Sequence, residues 1–179
     1  PATLNARFTG ITPDVLVPFM EAAQLQEIGG TVAATVTAEA DAFAIDRVRG
    51  TVVLDEAALV MAGVPVAQST PTRLRLENGT ARIENLRWNA QGNEVIASGV
   101  ATIAGANPTV DVAIVGDIDL RIPGAFVSGV ASGGIGYADL SIKGPITAPA
   151  VAGSLNITAG ELRIDSPPLA ASDFDGTLW

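Results

Sequence analysis

Cysteine and histidine are both absent from this 179-residue chain. These residues are the commonest nucleophile and the commonest general base of enzymes. Cysteine thiolates and histidine imidazoles are also the usual ligands of structural zinc. Without cysteine there is no disulfide framework. We therefore expect a protein that is not an enzyme and that has no cofactor and no metal site.

Aromatic residues and positive charge are also scarce. Aromatics make up 4% of the chain, and the net charge is −9, with Lys143 as the single lysine. An acidic chain offers no electrostatic footprint for nucleic acid. It also lacks the basic cluster that holds proteins to anionic membrane surfaces. We interpret the acidity as a source of solubility for a chain that is 48% hydrophobic.

No hydrophobic run is long enough to cross a membrane. The most apolar run, Ala57–Ala67, is far shorter than the ~20 residues that a transmembrane helix needs. The N-terminus does not resemble a signal peptide. The chain opens on a strand-like pattern, and we interpret it as a fragment of a larger protein whose anchor or export signal lies elsewhere.

An internal repeat is the most informative feature that is present. Residues 14–69 and 119–172 share a pattern of proline, glycine and leucine positions. The matched pairs are Pro18 with Pro123, Gly30 with Gly136, Gly50 with Gly153, Leu59 with Leu162, Pro65 with Pro168, and Ser69 with Ser172. A repeat of this size is typical of an elongated protein that stacks one supersecondary unit. We expect one elongated β domain over 1–179, with repeats at about 2–104 and 109–179.

Alternation of apolar and polar residues with a period of two dominates the chain and predicts strands with one buried face. Asn78–Gly79 predicts a type I′ hairpin turn. The predicted strands are Ala2–Thr9, Thr31–Thr37, Val48–Asp55, Arg73–Glu77, Thr80–Glu84, Glu94–Ile103, Val110–Ile118, Tyr137–Lys143, Val151–Ile157 and Glu161–Asp165. Pro145, Pro149, Pro167 and Pro168 are expected at strand ends, since proline donates no ladder hydrogen bond.

One or two short helices are expected between these strands. Pro13 and Asp14 open a helical pattern that places Leu16, Phe19, Met20 and Ala23 on one face and closes at Gly29–Gly30. The matching stretch, Pro123–Ser132, is shorter and contains two glycines, so it predicts a single turn of helix.

The apolar strand faces must be covered or must line a space. A closed sandwich would pack two such faces together, and a β-solenoid would enclose a thin core. A sheet folded lengthwise would leave a hydrophobic trough. The abundance of Ala, Gly and Val favours the trough, because small side chains leave room for something else.

Two acidic motifs invite a catalytic or metal-binding interpretation. Residues 173–178 read Asp-Phe-Asp-Gly-Thr-Leu, which matches the nucleophile loop of haloacid-dehalogenase phosphatases. That loop needs a hydrophobic strand before it and an α/β domain after it, and the sequence provides neither. Asp117 and Asp119 form a second Asp-x-Asp pair, which we interpret as solvated acids on the outer face of a strand.

The segment Lys143–Leu162 resembles the TamB family of the AsmA-like group. The family's recurring glycine–aliphatic pattern is matched at Gly144, Ile146, Pro149, Val151, Gly153, Leu155, Ile157, Gly160 and Leu162. The first repeat departs from it at Ala38 and Phe43, where glycine and proline would fall. The hairpin Leu74–Ile83 and the following Asn85–Gly99 are also similar to a family segment.

The resemblance implies a mainly β fold: an elongated, curved antiparallel sheet folded into a β-taco with a hydrophobic interior. It implies a periplasmic protein, anchored in the inner membrane at full length, that conducts phospholipid between the two membranes. It also implies support of outer-membrane protein assembly with a barrel of the TamA/BamA type. The anchor and the barrel-binding segment of the family do not match any part of this chain.

We predict that acyl chains contact the inward aliphatic residues. The predicted lining is Val32, Ala34, Val36, Val52, Leu54, Val112, Ile114, Leu140, Ile142, Leu155, Ile157, Leu162 and Ile164. Each of these residues would equally serve as ordinary core. Two alternatives remain open: a chaperone-like protein that binds unfolded outer-membrane strands by β-augmentation, and a structural β-spacer with a dry core.

Overall fold

The computed structural model describes residues 2–16, 25–41 and 45–179. The chain is mainly β, and its eleven described strands form one antiparallel sheet. The strands are β1 (Ala2–Ile11), β2 (Ile28–Ala40), β3 (Val48–Met61), β4 (Val64–Gln68), β5 (Thr72–Glu77), β6 (Thr80–Ala90), β7 (Asn93–Thr102), β8 (Thr109–Asp119), β9 (Val130–Pro145), β10 (Ala150–Asp165) and β11 (Pro168–Leu178).

The strands follow one another across the sheet in chain order. The path runs β1-β2-β3-β4-β6-β7-β8-β9-β10-β11, and β5 pairs with β3 and β6. β4 and β5 therefore occupy the same place between β3 and β6, as one strand interrupted at residues 69–71. The sheet is a simple meander of ten rungs, which short local connections are sufficient to build.

The alternation in the sequence places the apolar side chains on one side of this meander. Residues directly opposite each other on antiparallel strands share a face. One such row runs through nine strands without a break. Its members are Ala6, Val36, Val52, Leu74, Ile83, Gly99, Val112, Ile142 and Val151. We call the side that carries this row the inner face.

Glycines on the inner face let neighbouring strands approach and bend. Gly116 and Gly153 lie within long strands at φ +132° and +128°. A Cβ at Gly116 would overlap the carbonyl oxygen of Glu94, and one at Gly153 would overlap that of Asp139. L-residues with side chains rarely adopt this φ, so both positions require glycine if the curved sheet is to keep its geometry.

Bulges change the direction of the strands, but the apolar side chains remain on the inner face. The β2–β3 ladder shifts by one residue between Ala33 and Ala34, and the β10–β9 ladder shifts between Thr158 and Glu161. Beyond the second shift, Leu162 and Ile164 still lie opposite Ser132 and Val130. A bulge increases local twist, which favours a curved sheet.

The strand predictions are largely confirmed, with differences that have clear causes. Asn78 and Gly79 both have positive φ, as a type I′ turn requires, and they join β5 to β6. The predicted strands at 151–157 and 161–165 are one strand, β10, because a bulge rather than a turn separates them. β4 and β11 were not predicted. Pro145, Pro149, Pro167 and Pro168 all lie at or beside strand ends.

Helical structure is sparse. α1 (Arg121–Ala125) is a single turn, as predicted for the second repeat, although it begins two residues before Pro123. In the first repeat, Pro13–Leu16 forms a 3-10 turn. The predicted helical residues Phe19, Met20 and Ala23 lie outside the described residues. A further 3-10 turn, Ile45–Arg47, precedes β3.

Candidate functional site

The thirteen residues that we predicted from the sequence to form an apolar lining all lie on the inner face. Val112, Ile142 and their row neighbours span the middle of the sheet, and Ile114, Leu140 and Gly153 form the next row. Ala34 is buried, and the other twelve are half-buried. The inner face is therefore one continuous aliphatic surface that is neither fully packed nor fully exposed.

Half-burial follows from the single-layer architecture. All eleven described strands belong to one sheet, so no second sheet covers the inner face in this part of the chain. Each side chain is covered only by its in-plane neighbours and by the curvature of the sheet. Leu155, for example, lies over Gly136, where an added Cβ would come within 2.7 Å of its Cδ1. Small residues thus make room for large ones on the adjacent strand.

Several inner-face residues were missed by the sequence prediction. Leu74 and Ile83 lie in the same row as Val52 and Val112, and Trp88 faces inward opposite Gln68. The strands of Leu74 and Ile83 were predicted, but the cross-strand register that aligns them with the lining was not, and Trp88 lies beyond the predicted strand Thr80–Glu84. The alternation at Leu74–Leu76 and Ala81–Ile83 is the signal that would have included Leu74 and Ile83 in the lining.

A compact cluster closes one end of the inner face. Val64, Val66 and Ala90 are buried there, with Met61, Trp88 and Ile122 packed against them. Ile122 belongs to α1, so the connection between β8 and β9 reaches back to β4 and β6. At this end of the inner face the side chains are packed against one another as ordinary core and are not accessible.

Polar groups within this region are mostly paired. The Trp88 Nε1–H donates to Thr72 Oγ1 at 3.2 Å, and the Gln68 amide donates to the Leu54 carbonyl at 2.9 Å. Thr72 is buried, and Gln68 Oε1 is buried without a hydrogen-bond partner in the described chain. These bonds bridge the interruption between β4 and β5.

An ion pair fixes the start of α1. Asp119 is 4% exposed. Its Oδ2 accepts from Arg121 Nη2 at 2.6 Å, and its Oδ1 accepts from the Nε and the backbone N–H of the same residue. The hydrogen bonds from the Arg121 side chain hold the pKa of Asp119 below its ordinary 3.8, although burial acts in the opposite direction. The prediction that Asp119 is solvated is wrong because Arg121 covers it; Asp117 is exposed as predicted.

The opposite face of the sheet, the outer face, carries most of the charged side chains, together with exposed apolar ones such as Ile96, Val115 and Tyr137. Lys143 Nζ and Asp111 Oδ2 lie 3.3 Å apart, and Arg87 Nη1 donates to Glu94 Oε2 at 2.7 Å. A concavity of about 440 Å³ crosses β1, β2, β3 and β5, and its lining combines outer-face residues such as Asn5 and Arg75 with the inner-face residues Leu4, Ala38 and Leu76. None of the thirteen predicted lining residues borders that concavity.

The phosphatase-like segment lies in an edge strand. Asp173 and Asp175 are exposed on β11, and Asp175 Oδ1 accepts the Ala159 N–H at 3.0 Å. No group of three acidic side chains in the described ranges is arranged to hold a metal ion. The structure thus uses Asp175 as a hydrogen-bond acceptor between β10 and β11.

Comparison with known proteins returned no matching family model, no matching curated protein and no matching solved structure. Over residues 2–16, 25–41 and 45–179, no helix combines the length and the apolar character that a membrane span requires. The inner face is consequently the feature on which a functional assignment depends.

Proposed function

We propose that the inner face binds phospholipid acyl chains and conducts them along the sheet. The observation that supports this proposal is the unbroken row from Ala6 to Val151, which consists of aliphatic residues and one glycine. Its members are half-buried, and Val151 is exposed, because no second layer of described strands covers them. A soluble protein rarely leaves a contiguous apolar surface of this extent without a partner for it.

Hydrocarbon is a suitable partner on energetic grounds. Each methylene removed from water contributes ~0.8 kcal/mol, so half-burying one acyl tail offsets several kcal/mol. Headgroups would stay at the open margin of the trough, where water is accessible. The inner wall is built from Val, Leu, Ile and Ala, which recognise apolar character and little else. We therefore expect weak discrimination between acyl chains of different length.

The wider setting of the proposal comes from the resemblance to the TamB family. In that setting the full-length protein is anchored in the inner membrane, works in the periplasm and carries phospholipid towards the outer membrane. Support of outer-membrane protein assembly through a TamA/BamA-type barrel would use segments outside this chain. The long single-layer sheet with one apolar face is compatible with such a conduit.

A matched pair of substitutions on β9 tests acyl-chain binding. Leu140 lies on the inner face between Ile114 and Gly153, and Ser141 is the next residue, on the outer face. Leu140→Asp places a charge where acyl chains would lie, so we expect most of the copurifying phospholipid to be lost. Ser141→Asp adds the same charge outside and should retain it. Thin-layer chromatography and mass spectrometry of extracted lipid measure both.

Circular dichroism establishes whether each variant folds. If Leu140→Asp unfolds, a photo-crosslinking residue at Leu155 replaces it and should label phospholipid in the intact protein. Equal lipid content in the two folded variants, or no lipid with the wild-type chain, would overturn the proposal.

Capture of unfolded outer-membrane strands is the second candidate function, because the sheet has long edge strands. Crosslinks from Leu155 to nascent outer-membrane protein in place of lipid would support it. A structural spacer with a dry inner face would give neither product.

A further inference from the structure

Burial is uneven across the inner face. Among the described residues, the only buried aliphatic side chains larger than alanine are Val64, Val66 and Leu120, whereas the predicted lining is mostly half-buried. All three lie at α1. Leu120 directly precedes it, and Ile122 of α1 packs against the cluster that contains Val64 and Val66. The large side chains of the inner face are therefore fully buried where α1 covers the sheet.

Two apolar side chains of the β8–β9 connection form this cover. Leu120 lies over Gly136, where an added Cβ would come within 3.0 Å of the Leu120 Cδ2. Ile122 reaches the cluster on β4 and β6, which lie four and three strands away from β9 in the sheet. The connection thus crosses the inner side of the sheet in front of the intervening rungs. It occupies the place that hydrocarbon would occupy if the same surface were open.

The base of this cover is held by polar contacts. Asp119 accepts three hydrogen bonds from Arg121 at the point where β8 ends. The Ser132 hydroxyl on β9 donates to the Leu120 carbonyl at 2.6 Å. These bonds join the connection to the two strands from which it emerges, so they fix its position there.

The remainder of the cover is held differently. α1 is a single turn without a side-chain cap, and a helix this short is not stable on its own. Its hydrogen bonds are local: the Gly124 N–H donates to the Leu120 carbonyl, and the Val127 N–H donates to the Gly124 carbonyl. The contact with β4 and β6 is the apolar packing of Ile122. The turn can therefore leave the cluster as a unit while its own hydrogen bonds and those at its base stay formed.

We propose that α1 is a lid on the inner face and that acyl chains displace it from β4 and β6 as they bind. This inference rests on the acyl-binding role proposed above. Displacement exchanges the packing of Ile122 for contact with hydrocarbon, so Val64 and Val66 remain shielded from water. Without a ligand, the closed lid shields the part of the most apolar run, Ala57–Ala67, to which both valines belong. The closed lid lowers the apparent affinity for acyl chains in proportion to the fraction of molecules that are open.

The absence of native cysteine allows displacement to be measured directly. In Ile122→Cys the thiol lies under the closed lid and should react slowly with a charged, water-soluble maleimide. Saturation with the fluorescent fatty acid cis-parinaric acid should speed this labelling at least about fivefold, because opening exposes the thiol. Val127→Cys is the matched control. Val127 is exposed just after α1, so its thiol should react fast, and at the same rate with and without the fatty acid.

The fluorescence of cis-parinaric acid separates the two proposals. If the wild-type chain does not bind the fatty acid, the acyl-binding role fails and the lid fails with it. If the fatty acid binds but the labelling of Ile122→Cys is unchanged or slower, the lid is overturned and the acyl-binding role stands.

Ile122→Ala gives a second measurement, of affinity. Loss of the side chain weakens the closed lid, so cis-parinaric acid should bind at least about tenfold more tightly than to the wild-type chain, and Val127→Ala should leave the affinity unchanged. Circular dichroism establishes folding, and if Ile122→Ala is unfolded, Ile122→Val replaces it with a smaller expected gain. Unchanged or weaker binding by a folded variant would show that Ile122 is fixed core, which overturns the lid.

Discussion

Asp119 illustrates how one residue two positions away changes the role of another. On its own, the Asp-x-Asp pattern at the end of β8 indicates two solvated acids. Arg121 turns back over Asp119 and forms three hydrogen bonds with it, so a carboxylate is buried in its charged form. The same arrangement raises the pKa of Arg121, and the pair fixes the entry to α1.

Replacing Asp119 should make the stability of the protein less dependent on pH in the acid range. The pKa of Asp119 is lowered in the folded chain, so its stabilisation is complete above the unfolded value, 3.8, and is lost as pH falls through the lower folded value. Asp119→Asn should reduce the free energy of unfolding by about 1–2 kcal/mol at pH 7. Urea titrations from pH 7 to pH 2.5 measure this difference.

The difference between the wild-type chain and Asp119→Asn should shrink towards zero below pH 3.8. Asp117→Asn is the matched control, since Asp117 is exposed on the same strand, and it should stay within the error of the wild-type value. A constant difference at all pH values would show that the charge of Asp119 does not contribute.

At the level of elements, alternation and turn chemistry predict most of the sheet, and the omissions are informative. β3 extends to Met61 and returns as β4, but Ala57–Ala67 is so uniformly apolar that it shows no period of two. The turn between them uses Ala62 and Gly63, both at positive φ, and alanine is a weak signal for such a turn. β11 was missed because its outward Asp173 and Asp175 resembled a loop motif.

Removing the side chain of Ile122 should separate α1 from the β4–β6 cluster. Ile122 packs against the cluster of Val64, Val66 and Ala90, whose strands β4 and β6 lie four and three strands away from β9 in the sheet. Ile122→Ala should lower the free energy of unfolding by about 2–3 kcal/mol, because the cavity is left between buried residues. Val127→Ala is the control, since Val127 is 53% exposed just after α1, and it should change stability by less than about 0.5 kcal/mol.

Chemical denaturation monitored by Trp88 fluorescence reads both variants, because Trp88 belongs to the same cluster. Equal stabilities for Ile122→Ala and Val127→Ala would indicate that α1 rests on the sheet without supporting it.

At the level of the whole molecule, the sequence predicts which face of each strand carries the lining residues. It does not predict the register in which neighbouring strands pair. The repeat aligns Gly30 with Gly136 and Leu59 with Leu162. Gly30 lies opposite Leu59, whereas Leu162 lies opposite Ser132, four positions from Gly136. The β2–β3 and β9–β10 connections differ in length, and the pairing registers of the two repeats differ as well. A register shift by an even number of residues leaves every side chain on the same face of the sheet. The alternation alone therefore leaves the register open.

Protection of backbone amides from hydrogen exchange should differ between the two repeat counterparts β1 and β8. Among the described strands, β8 is hydrogen-bonded to neighbours on both sides and β1 to a neighbour on one side, so β8 opens only with its neighbours. In dilute solution we expect the protected amides of β8 to exchange at least about tenfold more slowly than those of β1, which corresponds to ~1.4 kcal/mol. Exchange followed by NMR or mass spectrometry measures both strands in one experiment, and comparable protection of β1 and β8 would contradict the assignment of β1 as an edge.

The meander also determines how the chain would respond to tension between its two ends. Consecutive rungs of the described sheet are neighbours, with β4 and β5 sharing one rung, so a pulling force would separate one hydrogen-bonded pair of rungs at a time instead of shearing many bonds together. Peeling from the β11 side would first meet a tertiary obstacle at α1, where Ile122 ties the β8–β9 connection to β4 and β6. The edge strands should therefore separate at low force, and the α1 contact between the two repeats should resist a higher force.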